Sequence, residues 1–376
     1  MTKIYPLTKL DPDRFDRPDI LKRLATASRQ LAEFKGIVAT IPNQNILVST
    51  LGLQEAKDSS EIENIVTTHD ELFRHSDYSD LTGSAATKEV ARYAQALRIG
   101  FNDVRSKGLL TIRHILRIQA ALEENTAGFR KLPGTTLKAS DGRTVYTPPQ
   151  NHADIVALMG DLERFINDKS LSSTDPLIKM ALIHHQFESI HPFYDGNGRT
   201  GRIINVLYLV KEGLLELPVL YLSRHIVRTK SDYYRLLQEV RERDAWEEWV
   251  LYMLTAVERI SAEGIEAIKS IRTLLLDYKR RIREQHRFYS QDLINNLFSH
   301  PYTKIEFIQK DLEVSRLTAT KYLDELAKSG FLRKHKVGRS NYYINQRLYD
   351  ILAGESMGRS QKRKSSRQLS SGRKKS

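Results

Sequence analysis

Apolar side chains recur at helical spacing along most of this chain, and the breaks in that rhythm mark where its helices stop. In ILKRLATASRQLAEFKGIV, Leu21, Leu24, Leu31 and Phe34 share one face, and GIVATIPNQN ends the pattern with Gly, Pro and Asn, predicting a helical hairpin. LGLQEAKDSSEIENIVTTHDELFRH predicts a short helix closing near Asn64, a residue tolerated at helix C-termini. It then restarts at Thr68, where Thr68 and Glu71 form a capping box. Helices continue over residues 86 to 125. GFRKLPGTTLKASDGRTVYTPPQ, rich in Gly, Thr, Ser and Pro, predicts an irregular β-hairpin around SDG. Further helices are predicted at about 152 to 168 and 176 to 190, the second opened by Asp175 as N-cap and Pro176 as first helical residue. Pro192 stops that helix, because a residue before proline is driven out of the α region, so His191 stands at the helix end. From Arg199 another helix carries Ile203, Leu207, Val210 and Leu214, breaking at Gly213, and more follow at about 229 to 242 and 245 to 285.

Near Ser290 the texture shifts. LINNLFSH is followed by a helix from Lys304, then by SRLTATKYLDELAKSG, with Ser315 as N-cap and Ala319, Tyr322, Leu323 and Leu326 at i, i+3, i+4 and i+7. Gly330 stops it, and FLRKHKV and YYIN flank GRSN as a two-stranded ribbon. That order is a winged helix-turn-helix on a mainly α chain. After Gly354 a low-complexity basic run is expected to stay disordered.

Composition bounds the classes. At 376 residues with 40% hydrophobic, the chain predicts two or three globular domains. No stretch approaches the roughly 18 uninterrupted apolar residues of a membrane span, and MTKIYPLTKLDPDRFDRPDI lacks the apolar region of a signal peptide. A soluble, cytoplasmic protein without a membrane partner is expected, and zero cysteines rule out disulfides and thiolate metal sites. The net charge of +13 sits unevenly: Met357 to Ser376 holds eight Lys or Arg and no acid, which leaves +5 for the other 356 residues. The nucleic-acid argument from charge therefore applies to the C-terminal end alone.

The densest chemistry lies in HPFYDGNGRTGR, residues 191 to 202. Gly196, Gly198 and Gly201 let backbone N–H groups turn inward between two helix ends, an anion nest backed by the positive end of the next helix. Arg199 and Arg202, three apart, can fork onto two different phosphate groups, which points to a nucleoside di- or triphosphate. Asp195 supplies a hard oxygen suited to Mg²⁺, and His191, whose unperturbed pKa lies nearest neutrality, is the natural general base. Base, metal and phosphate cradle together describe a phosphoryl or nucleotidyl transferase. His184, His185 and Glu188 lack the open tetrahedral set of a zinc site, so packing or hydrogen bonding is expected to hold the two histidines.

HPFYDGNGRTGR matches at every defining position the signature of the Fic (Fido) family, H-x-F-x-[DE]-G-N-G-R-x-x-R, and the chain is identified as resembling its protein adenylyltransferases. The resemblance implies transfer of AMP from ATP to a Ser, Thr or Tyr hydroxyl of a target protein or of the chain itself, on a Fic-type helical bundle. It implies His191 as base, Asp195 as Mg²⁺ ligand, Asn197 and Arg199 on the α- and β-phosphates, Arg202 on the γ-phosphate, and Phe193 as the anchor of the loop. Thr144, Val145 and Tyr146 would form the flap that holds a target segment by strand addition. LQEAKDSSEIENIVTT resembles the family's inhibitory helix, [ST]-x-x-x-E-[GN], through Ser59, Glu63 and Asn64, with Glu63 competing for Arg202. In some relatives this glutamate also serves removal of AMP. Tyr233 or Tyr234 would line the adenine pocket, and Asn205 could reach the nucleotide. A homodimer holding the inhibitory helix is what relatives suggest.

The expected organisation is an N-terminal helical domain over 1–100 with the inhibitory helix at about 55–64, and a catalytic core over 101–255 with the flap at about 135–149. A linking helix over 256–289, the winged helix over 290–350 and a basic tail over 351–376 follow. The competing reading is a DNA-binding regulator whose Fic core is silent or self-regulatory. In it Arg316, Thr318, Thr320 and Lys321 face the major groove, and Lys334, Lys336 and Arg339 touch phosphates. Residues 301 to 350 hold ten basic and six acidic side chains, so a protein partner for the winged helix is also open.

Overall fold

The computed structural model describes residues 4, 6–74, 84–139, 141–337 and 340–354. The basic tail after Gly354 and Arg339 of the expected wing lie outside the described residues.

In chain order the helices begin with α1 (Pro18–Val38), α2 (Asn45–Ile62), α3 (His69–Arg74), α4 (Ala85–Lys107) and α5 (Ile112–Glu123). The hairpin β1 (Leu137–Lys138) and β2 (Thr144–Tyr146) precedes α6 (His152–Asn167), α7 (Pro176–Ile190), α8 (Asn197–Lys211), α9 (Ser223–Arg228), α10 (Lys230–Arg243) and α11 (Trp246–Gln285). Then come α12 (Gln291–Ser299), β3 (Tyr302–Thr303), α13 (Ile305–Leu312), α14 (Arg316–Lys328), β4 (Arg333–Val337), β5 (Ser340–Ile344) and α15 (Gln346–Leu352). The chain divides into two compact units. One comprises Met1–Gly36, Glu55–Thr67 and Gly83–Gly264; the other comprises Ile37–Gln54, Thr68–Thr82 and Ile265–Ser376.

In the first unit α7 is the central helix, with every residue from Leu177 to Ile190 buried. Its first half is mostly apolar, and its second half encloses His184, His185, Gln186 and Glu188 among its neighbours. Asp175 caps it, its carboxylate accepting from the Leu177 N–H at 2.8 Å, and Pro176 occupies the first turn. α7 packs on α6 and α8, while α4 packs on α5 and α8. Gly100 of α4 permits that close approach: a Cβ there would collide with Leu207 Cδ1 and stand 2.8 Å from Ile118 Cδ1. In the second unit β5 lies between β3 and β4 in an antiparallel sheet, Arg333 facing Ile344 and Tyr302 facing Ile344 across its other edge. Ser315 caps α14 by accepting from the Thr318 N–H at 3.2 Å, and Gly330, at φ 76°, ends it. Ala319, Leu323 and Leu326 are buried, whereas Tyr322 lies at the margin, stacked on Phe288 with ring centroids 4.2 Å apart.

Five elements depart from the sequence reading. α2 is an 18-residue helix and not a short one. Its first half, NILVSTLGLQ, is buried on nearly all sides, so it carries no amphipathic rhythm. α8 starts at Asn197, two residues before Arg199, because Gly196 at φ 77° turns the backbone directly into the helix. The ribbon has a third strand, β3, whose two residues are too few to show a period, and α9 and α15, of six and seven residues, were hidden for the same reason. Among the described residues, no helix is long and apolar enough to cross a membrane.

Candidate active site

The loop between α7 and α8 is built by its own side chains. His191 closes α7 in the left-handed region, φ 48° and ψ 59°, with its N–H on the Phe187 carbonyl at 3.0 Å. Phe193 is fully buried, its ring centroid 5.4 Å from that of Phe129 and 6.3 Å from that of Phe187. The Asn197 side chain grips Phe193 from both ends: its Oδ1 accepts from the Phe193 N–H and its Nδ2 donates to the Phe193 carbonyl, each at 2.9 Å. The C-terminus of α7 thus faces the N-terminus of α8 across six residues, a base on one side and a helix dipole on the other.

Carboxylates lie against that positive end. A Cβ on Gly198 would run into Glu63 Oε1, and one on Gly196 would run into Glu123 Oε1. Only glycine leaves room for an anion to approach the backbone so closely. Gly201 serves packing instead, because a Cβ there would sit 2.7 Å from Glu188 Oε1 and 3.1 Å from Phe187, so its absence seats α8 on α7.

Both arginines are buried and engaged. Arg202 donates from Nε to Ser59 Oγ at 2.7 Å, and from one terminal nitrogen to the Ser59 carbonyl at 3.0 Å and Glu63 Oε1 at 2.8 Å. Arg199 pairs with Glu89 of α4 and with Glu123 of α5, the latter at 2.8 Å. The end of α2 explains how Ser59 and Glu63 reach one guanidinium. They lie four apart, on one helical face, and the helix closes in a Schellman turn: Ile65 N–H to the Ser60 carbonyl and Asn64 N–H to the Glu61 carbonyl, both 3.0 Å, with Asn64 at φ 64°. The Asn64 side chain accepts from Lys230 Nζ at 3.0 Å. Asp195, 78% exposed, accepts from the Gly196 N–H at 2.7 Å through one oxygen and leaves the other open.

The electrostatics follow from burial and these pairs. His191 is pushed down to about 4 by burial and by the Arg130 and Arg241 charges, against a smaller upward pull from Glu63. Glu63 is pushed up by its surroundings, but the Arg202 charge and hydrogen bond outweigh this and hold it below its ordinary value. Glu188, fully surrounded, is raised to about 7 by burial despite Arg202, and among the described residues its Oε1 has no hydrogen-bond partner.

In the hairpin, Leu137 faces Tyr146 and Lys138 faces Thr144. Thr144 and Val145 are exposed, while Tyr146 is buried, donating to the Ser189 carbonyl at 2.9 Å beneath the Arg241 guanidinium, 4.0 Å from its ring centroid. Tyr146 therefore fastens the hairpin to α7. Tyr233 is buried with its hydroxyl 2.9 Å from His184 Nε2, and Tyr234 is 45% exposed. His185 Nε2 bonds the Leu237 carbonyl at 3.1 Å, so hydrogen bonding and ring packing hold both histidines. Asn205 is buried and, among the described residues, neither end of its amide has a partner. Sequence reasoning missed Glu89, Glu123, Arg130 and Arg241, which come to the loop from other segments and belong to no local motif; Glu188, on α7 three residues before His191, was weighed only as a metal ligand. Glu55 was missed too, although it stands four residues before Ser59 on the same face of α2.

Three family profiles match successive stretches: the N-terminal domain of the Fic/DOC family over residues 21–102, the Fic/DOC family over 109–209, and the C-terminal domain of SoFic-like protein adenylyltransferase over 274–348. Among curated proteins the chain is similar to protein adenylyltransferase Fic of Drosophila erecta, 33% identical over 96 residues, covering 26% of this chain and 18% of that protein. It is also similar to protein adenylyltransferase fic-1 of Caenorhabditis briggsae, 32% identical over 83 residues, covering 22% and 15%. The match thus spans less than a fifth of these relatives' length. Among solved structures, a Fic family protein from Desulfovibrio desulfuricans G20 superposes with a TM-score of 0.57 at 19% identity, over 89% of this chain and 98% of that one. Fic-1 from C. elegans superposes with a TM-score of 0.51 at 18% identity, over 67% and 74%. At these identities the structural likeness establishes a shared fold.

Proposed function

Since the chain belongs to the Fic/DOC family, we propose that it is a protein adenylyltransferase, moving AMP from ATP to a hydroxyl of a target protein or of itself, held in check by Glu63. The observation that carries this reading is the single guanidinium of Arg202, shared by Ser59 and Glu63 at the mouth of the nest.

The chemistry follows the geometry. ATP enters with its phosphates toward the N-terminus of α8, where the Asn197 and Gly198 backbone and Arg199 receive the α- and β-phosphates. The Asn197 side chain is spent on Phe193, so it shapes the loop while its main chain meets the ligand. The γ-phosphate requires Arg202, and Glu63 occupies it. With Glu63 in place the nucleotide settles with its α-phosphate turned from attack. Asp195, exposed and with an open carboxylate oxygen, fits a Mg²⁺ ligand. When bound, the ion neutralises phosphate charge and steadies the leaving group. His191, neutral at physiological pH, accepts the acceptor hydroxyl's proton. The hydroxyl oxygen bonds to the α-phosphorus, the bond to the bridging oxygen breaks, and pyrophosphate leaves. Incoming phosphate charge raises the imidazole pKa from its depressed value toward the useful range. Thr144 and Val145, exposed on the flap, meet the target strand, which must displace the Gln238 side chain that donates to the Val145 carbonyl at 3.2 Å. Asn205, with two unpaired polar ends, gains hydrogen bonds from a nucleotide.

The test is incorporation of radiolabelled AMP from ATP in a cell lysate and in the purified chain. A charge-assisted hydrogen bond is worth roughly 1.5 to 3 kcal/mol, and about 1.4 kcal/mol is tenfold. Glu63→Gly is expected to raise labelling at least about tenfold and His191→Ala to abolish it. No label with either the parent or Glu63→Gly would defeat the enzyme reading. The order α12, β3, α13, α14 and ribbon supports a winged helix as the second unit's C-terminal part, with DNA or protein as its partner.

A further inference from the structure

Arg130 is fully buried and, among the described residues, pairs with no carboxylate. A buried cation without a counter-ion is costly, so its hydrogen bonds must repay it. Its Nε donates to the His191 carbonyl at 2.9 Å, and one terminal nitrogen donates to the Ile190 carbonyl at 3.5 Å and to the Pro149 carbonyl. Ile190 and His191 carry the unsatisfied carbonyls at the negative end of α7, the place where a cation belongs. Pro149 lies just beyond the flap strand that ends at Tyr146.

The main chain around Arg130 repeats the connection. Its own N–H donates to the Pro192 carbonyl at 2.9 Å, and the Lys131 and Leu132 N–H groups donate to the Tyr194 hydroxyl at 2.9 and 3.1 Å. His152 Nδ1 lies 2.9 Å from the Arg130 carbonyl. Beyond this segment Gln150 ties the hairpin's entry, accepting from the Gly134 N–H at 2.7 Å and donating to the Thr135 carbonyl at 3.0 Å.

We propose that Arg130 is a positioning residue: one buried guanidinium that joins the main chain of His191 to the exit of the flap, and so sets where an acceptor hydroxyl stands relative to the base. This rests on the adenylyltransferase reading, because a distance between base and acceptor matters only if a hydroxyl is the acceptor. His191 needs such support, since its left-handed backbone is one that residues other than glycine seldom hold. A planar fork can satisfy carbonyls on two segments at once, whereas an ammonium on a flexible stem cannot hold the same geometry.

The experiment uses the full chain carrying Glu63→Gly, with Arg130→Lys and Arg130→Gln added separately. The readouts are the rate of label incorporation from radiolabelled ATP into the chain and lysate proteins, the half-saturating ATP concentration, and hydrogen exchange along the chain. A displacement on the order of 1 Å costs about a hundredfold in rate. Both variants are therefore expected to lose roughly 10- to 100-fold in the saturated rate, with half-saturating ATP changed less than about threefold. Exchange should rise together in residues 144–149 and 190–194 and stay at the parent level elsewhere. Saturated rates within threefold of the parent in both variants would overturn the proposal, as would exchange rising throughout the chain with activity tracking the folded fraction. If the Glu63→Gly parent labels nothing, the adenylyltransferase reading has failed. Exchange then still decides whether Arg130 joins flap and loop: loosening of both supports the linkage, and loosening of one or neither refutes it.

Discussion

At the scale of single residues, the least expected group is Glu55, buried on the face of α2 that also carries Ser59. It accepts from the Tyr93 hydroxyl at 3.0 Å, the Ser223 N–H at 3.3 Å and the Ser223 hydroxyl, and burial pushes it up to about 8. Asp58 adds to the rise, while Arg202 and the hydrogen bonds from Ser223 and Tyr93 oppose it. A raised carboxyl keeps its proton in the folded chain where the unfolded chain has released it. The folded state therefore binds more protons between about 4.5 and about 8. Stability from this group is complete below that window and falls as pH climbs through it. Glu55→Gln removes the titration, so thermal melting between pH 5 and pH 8.5 should show a shallower alkaline decline than in the parent. Parallel declines would assign the proton elsewhere. The twelve residues from His191 to Arg202 were legible because their chemistry is contiguous. Glu55, Glu89, Glu123 and Arg130 were not, because only the packing of α2, α4, α5 and the loop before the flap brings them to the site.

At the scale of elements, what matters about α2 is how it ends. The last position of Ser59-x-x-x-Glu63-Asn64 has a backbone reason: the Schellman turn needs a residue at positive φ, and Asn64 supplies it at 64°. A β-branched side chain there costs about 1 to 2 kcal/mol. Asn64→Val should loosen the turn, draw Glu63 away from Arg202 and raise AMP labelling several-fold, while Asn64→Gly leaves it near the parent. Equal labelling in the two variants would show that the turn does not hold the glutamate. The long helices α1, α4, α6, α7, α8, α10 and α11 could be read from the chain because caps, prolines and apolar stripes mark them over many residues. β3, with two residues, and α9, with six, offer no repeat to read, and the first half of α2 hides its period by being buried on nearly every side.

At the scale of the whole molecule, charge is distributed by sequence region more than by fold. The eight basic residues from Met357 to Ser376 outweigh the +5 of everything before them. Within the second unit two of the basic residues expected to meet DNA face acids: Arg316 with Glu306 at 2.9 Å and Lys334 with Asp324 at 2.7 Å. Duplex DNA binding by the full chain should weaken steeply with salt, and a chain ending at Gly354 should lose most of both the affinity and the salt slope. Retention of both after truncation would move the contact to α14 and the ribbon. The engagement of Arg202 by Glu63 has a consequence of another kind. A carboxylate on the same chain competes at an effective concentration set by the fold, and dilution leaves it unchanged. Adding more ATP works against an opponent that never leaves. Each molecule therefore carries its own resting state, and labelling of a separate acceptor, counted per molecule of enzyme, should not change as the enzyme is diluted; a change would mean that a second copy acts on α2.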